Sequence, residues 1–169
     1  MKRNLMLVLI ALFALVFFAG TSLAADAKYS AATIKLVDEC KLLKRDKKEM
    51  PASMPGVKNV TPEEVKKMID EKKKIVLLDN RPADEFEKEH IPGAIRLNSD
   101  DLLENSKLAA DAGLKADDFI VDYCNGEMCW RSPAVSVMLT NLGYKNVNWM
   151  RSGLPGWIKK GYDTAEGKK

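Results

Sequence analysis

The sequence is poor in several residue types, and each shortage excludes something. It holds one histidine, His90, in 169 residues. Beside it one loop offers two cysteines, Cys124 and Cys129, and there is no second such pair, so no resident metal is expected. It holds three cysteines, Cys40, Cys124 and Cys129, too few for a disulfide-dense scaffold. The number is odd, so at least one thiol is unpaired or pairs between chains. There is no internal repeat and no collagen-like or long disordered composition. Charge of one sign is also scarce, with a formal net charge of +3. Lys2 and Arg3 belong to an N-terminal leader. Without them 25 basic residues face 24 acidic ones, which argues against a bulk electrostatic grip on nucleic acid.

The one long apolar run, Leu5 to Ala19, is short for a bilayer span of about 20 residues. With Lys2 and Arg3 before it and Ser22-Leu23-Ala24 after it, Met1–Ala24 reads as a secretory signal peptide cleaved after Ala24. No Cys follows to take a lipid. The expected mature protein is periplasmic or secreted, without stable membrane insertion. An unpaired thiol in such an oxidising compartment is either buried and inert or kept for chemistry.

Residues 25–56 read as a helical extension and linker. Ile34, Leu36, Val37, Cys40, Leu42 and Leu43 give a loose helical pattern, a charged run from Lys44 to Glu49 follows, and Pro51 and Pro55 break any helix. Residues 57–165 read as one compact domain, with 166–169 as a tail. Thr61-Pro62-Glu63-Glu64 is a helix start with a capping box. Ile75 to Leu78 and Phe119 to Val121 read as buried strands. Ala94–Leu97 and Val147–Met150 are further strand candidates. Asp100–Asn105 is a candidate helix, and Trp157–Lys160 a last one. Ser132, expected as an N-cap, precedes Pro133 and a helical stripe of Val135, Met138, Leu139 and Leu142, closed by Gly143. Strands alternating with helices imply an α/β fold with a parallel sheet covered on both faces.

Ligands of such sheets bind beyond the carboxyl ends of strands. Two ends stand out, Asp79-Asn80-Arg81 and the run from Cys124 to Arg131. Cys124 leaves a buried strand, and its loop leads into a helix N-terminus. Unpaired N–H groups, the helix dipole and Arg131 are expected to favour a thiolate there without a histidine base. The plainer alternative is a small buried hydrophobe.

Several spaced motifs resemble the rhodanese-like domain family. Leu77-Leu-Asp-Asn-Arg81, Glu85-Phe86 and His90-Ile-Pro-Gly-Ala94 resemble its first signature. Val121-Asp-Tyr-Cys124, Arg131-Ser132, Leu142-Gly-Tyr-Lys-Asn-Val147 and Gly153 to Trp157 resemble its second. The resemblance runs from about Val57 to Thr164. It implies a rhodanese-like α/β fold, a five-stranded parallel sheet flanked by helices, with Cys124 as the nucleophile. It implies a sulfurtransferase that takes sulfane sulfur on Cys124 as a persulfide, from thiosulfate or from a persulfide or polysulfide. The sulfur is cradled by the backbone of Asn125, Gly126, Glu127, Met128, Cys129 and Trp130 and by Arg131, then passed to a thiol acceptor, small or protein. No cofactor is implied. Asp79, Arg81 and Ser132 are supporting residues, with Asp79 and Arg81 expected to pair, and His90 falls in a structural turn.

Arg131 lies seven positions after Cys124, so the loop is longer than the family's usual sulfurtransferase or phosphatase loops. The added length brings Cys129, and Cys129-Trp130 resembles a variant found in exported members. Cys129 is therefore a second candidate catalytic residue, in a thiol–disulfide or persulfide reductase. A third reading is a non-enzymatic sulfur carrier whose basic N-terminal extension docks a partner. Glu127, expected inside an anion cradle, would disfavour thiosulfate.

Overall fold

The computed structural model describes residues 29–168; the Met1–Ala24 segment lies outside the described residues. Twelve elements follow one another: α1 (Ala31–Arg45), β1 (Lys58–Asn59), α2 (Pro62–Asp70), β2 (Ile75–Asp79), α3 (Ala83–Lys88), β3 (Ile95–Arg96), α4 (Ser99–Glu104), α5 (Leu108–Asp111), β4 (Phe119–Tyr123), α6 (Arg131–Asn141), β5 (Asn146–Trp149) and α7 (Gly153–Lys159). The five strands form one parallel sheet in the order β1-β5-β4-β2-β3.

Local chemistry accounts for the strongest elements. At α2, Thr61 Oγ1 accepts from Glu64 N–H while the Glu64 carboxylate accepts from Thr61 N–H, so the expected capping box closes in both directions. The strands β2 and β4 are central and covered on both sides, which explains their unbroken apolar runs. Neighbouring residues along them face opposite ways. Leu78 and Ile120 pack with Val135, Met138, Leu139 and Trp149 on the α6 side. Leu77 and Val121 pack with Val65, Phe86, Leu154 and Trp157 on the other.

Some elements differ from expectation. The strand β1 is two exposed residues, Lys58 and Asn59, with no apolar pattern; only its pairing with Asn148 and Trp149 defines it. The helix α7 begins at Gly153, ahead of Trp157, and the short α5 was not expected. The N-terminal extension is not a free arm. Val37 and Cys40 of α1 are buried in the α6-side core, and Met50 and Met54 of the following segment join them. The charged run from Lys44 to Glu49 stays exposed.

Candidate active site

The strand order places a switch point between β4 and β2. From β2 the chain moves outward to β3, and from β4 it moves the other way to β5. The crevice at such a point, beyond the carboxyl ends, is the natural ligand site of a parallel sheet. Cys124 leaves β4 there, and Asp79 ends β2 beside it.

The loop from Asn125 to Trp130 folds back over Cys124. Gly126 holds φ +90°, and a Cβ there would come within 3.2 Å of Ser152 O. Cys129 N–H closes a turn onto Gly126 O at 2.9 Å. The helix α6 starts at Arg131 with Trp130 in the N-cap place and no side-chain cap. Ser132 therefore does not cap the helix. Its hydroxyl sits 2.9 Å from Cys124 Sγ and accepts from Trp149 Nε1 at 2.8 Å, and its N–H points at the same sulfur from 3.4 Å.

All three thiols are free and buried. Burial, with a contribution from Glu39, pushes Cys40 up to about 11, which suits an inert core residue. The loop pair behaves differently from the sequence-based expectation. Cys124 is fully enclosed, and burial holds its thiol well above the usual value despite the Ser132 contacts. Cys129 is pulled down to about 6, first by hydrogen bonding with the Cys124 thiol, then by the N–H groups of Asn125 and Arg131 and the Arg131 charge, against the opposing effect of its own burial. Two such close groups titrate as a pair. Within the pair, burial opposes ionisation most strongly at Cys124, whose Sγ also donates to Cys129 O at 3.6 Å, and the surroundings of Cys129 favour ionisation.

The other expected residues divide. Arg131 reaches Asp100 at 3.6 Å, and its Nε is buried without a protein partner. Asn125 points away from the sulfurs to the Glu85 carboxylate, and Met128 is exposed. Trp130 packs into the core under Lys41 of α1, whose Nζ lies 4.8 Å from the ring centroid. Glu127 does not enter the cradle. Its carboxylate turns outward to Arg151 at 3.4 Å and stays half-exposed. Asp79 and Arg81 form a buried fork-to-fork pair with contacts of 2.6 to 3.1 Å. His90 is also spoken for: Nδ1 bonds Phe86 O at 2.8 Å, the ring stacks on Phe86, and its backbone bridges Ala165. Sequence reasoning missed Arg151, which lies two residues past β5 at a strand end, and Met50, whose place in the site had no signal at all.

A cysteine loop between the central strand of a five-stranded parallel sheet and the following helix defines a rhodanese-like domain. Residues 61–160 match the Rhodanese-like domain family, and the chain belongs to it. It is 31% identical over 93 residues to an HTH-type transcriptional regulator of Mycobacterium tuberculosis, covering 55% of this chain and only 38% of that relative's length. Among solved structures it resembles a thiosulfate sulfurtransferase of Pseudomonas aeruginosa, with TM-score 0.56 and 22% identity over 81% of this chain and 24% of the other. It also resembles the polysulfide-sulfur transferase homodimer of Wolinella succinogenes, with TM-score 0.55 and 21% identity over 80% and 88% of the two chains. At these identities the structural likeness concerns the fold.

Proposed function

We propose that the chain is an exported sulfurtransferase that takes sulfane sulfur on Cys124 and passes it to a thiol. The observation that carries this reading is an enclosed thiol, Cys124, at the switch point, held by the Ser132 hydroxyl and N–H and tied to the backbone of a second loop cysteine, Cys129. The names of the structurally similar sulfurtransferases support the reaction class. In the first step Cys124 sulfur attacks the outer sulfur of a persulfide R–S–S⁻; a sulfur–sulfur bond forms, RS⁻ leaves, and the Cys124 proton ends on the leaving thiolate. The Cys124 persulfide is then attacked at its outer sulfur by an acceptor thiol.

The donor is read as a persulfide or polysulfide. The rim cations already face carboxylates, Arg131 with Asp100 and Arg151 with Glu49 and Glu127, so a dianion such as thiosulfate gains little there. Equal or better turnover with thiosulfate would count against this choice.

Two free thiols in one loop, with Cys124 Sγ 3.6 Å from Cys129 O, also support a second reading. The Cys129 thiolate can attack the inner sulfur of the Cys124 persulfide, forming the Cys124–Cys129 disulfide and releasing HS⁻. Two external thiols then restore the dithiol and leave as their own disulfide. Intact mass decides between the readings. Adding a persulfide donor should add one sulfur atom, removable by cyanide and lost in Cys124→Ser. Loss of two hydrogens with no sulfur kept, dependent on both cysteines, would favour the two-thiol cycle. No change in mass would sink both.

A further inference from the structure

The loop that carries Cys129 is fastened from outside by the N-terminal extension. Met50 N–H donates to Glu127 O at 2.8 Å, the extension's direct backbone tie to the loop. Arg151 binds both partners at once. Its Nη2 meets Met50 O at 2.9 Å and Glu49 Oε2 at 3.0 Å, its Nε meets Pro51 O at 3.2 Å, and its Nη1 meets Glu127 Oε1 at 3.4 Å. The guanidinium fork suits this job, since one planar group holds two backbone carbonyls and two carboxylates. The Met50 side chain is buried in the α6-side core with Val37 and Trp130, so the strap is anchored. On the other side of Cys129, Trp130 lies beneath Lys41 of α1. The sulfur-bearing residue therefore sits between two points held by residues 41–51.

We propose that segment Glu49–Pro51, latched by Arg151, is a strap that holds the Asn125–Trp130 loop closed so that Cys129 faces Cys124, which makes Arg151 a positioning residue for the loop thiols. The part that concerns two-thiol chemistry rests on the second reading above; the positioning of Cys129 does not.

The test is the pH profile of Cys129 labelling by iodoacetamide, read by peptide mapping of the full chain, in Arg151→Met, Arg151→Lys and Glu49→Gln. Circular dichroism establishes that each variant is folded. With the strap loosened, Cys129 moves away from Cys124 and the Arg131 charge, and its midpoint rises from about 6. We expect a rise of about one unit in Arg151→Met, a tenfold change in the ionisation equilibrium, and less in Arg151→Lys. Glu49→Gln separates tethering from charge. Removing a negative charge by itself would lower the midpoint, whereas a looser strap raises it. A rise in both Arg151→Met and Glu49→Gln supports the strap. An unchanged profile in folded Arg151→Met overturns it, as does a Glu49→Gln midpoint that stays or falls. Wild-type protein that labels near pH 6 but never forms the Cys124–Cys129 disulfide would refute the two-thiol reading and leave the strap standing.

Discussion

At the residue scale the two loop cysteines exchange the roles that their positions suggest. Cys124 leaves the strand toward a helix N-terminus, a setting that lowers a thiol's pKa. Full burial outweighs it, and the preference passes to Cys129. The largest cause of the low Cys129 value is the hydrogen bond with Cys124. Cys124→Ala removes that donor, so the Cys129 labelling midpoint should rise well above 6. Cys124→Ser keeps an O–H group and should raise it less. Equal midpoints in wild type and Cys124→Ala would mean that the backbone N–H groups and Arg131 suffice alone. The sequence made the two cysteines visible as candidates. It did not show which carries the charge, because that depends on enclosure and on where individual N–H groups point.

At the scale of elements, legibility followed the locality of the signal. The α2 start was readable because a capping box lies within four residues, and β2 and β4 because central strands are apolar throughout. The strand β1 was not, since two polar residues become a strand only by pairing with β5. The docking of α1 and Met50 was equally hidden, because it depends on a long-range fit to α6 and the loop. The start of α7 shows such a fit in detail. Gly153 holds φ +60°, and a Cβ there would lie 2.2 Å from Cys124 O and 2.4 Å from Gly126 N. Both are backbone atoms that cannot swing aside. Gly153→Ala should therefore cost about 3 kcal/mol or more, combining overpacking with a left-handed backbone. The measurement is the urea midpoint under reducing conditions, and a loss below about 0.5 kcal/mol, the range of ordinary surface changes, would show that the α7 start can move freely. On the opposite side of the sheet, Met50→Ala should cost about 2–4 kcal/mol by leaving a cavity among α1, α6 and the loop. The same urea titration measures it.

At the scale of the whole molecule, the pH dependence of stability combines opposing groups. Asp122 is fully buried on β4 and accepts from the Ser136 hydroxyl at 2.8 and 2.9 Å. Burial drives its pKa well above the ordinary carboxylate value, and the Ser136 bonds only partly oppose this. An unfolded chain releases that proton near pH 4. Between there and neutrality the folded state retains a proton that the unfolded state has lost, so this group makes stability fall as pH rises. The low Cys129 value acts the other way, adding stability as pH rises above about 6 toward the unfolded thiol value. Asp122→Asn isolates the first effect, because the cysteines are the same in both proteins. The variant should be more stable than wild type at pH 7, with the gap closing toward about pH 4. Urea unfolding in reducing buffer from about pH 4 to 8 measures it. A gap that stays constant across this range would mean that Asp122 changes ionisation no more on folding than an exposed carboxylate does.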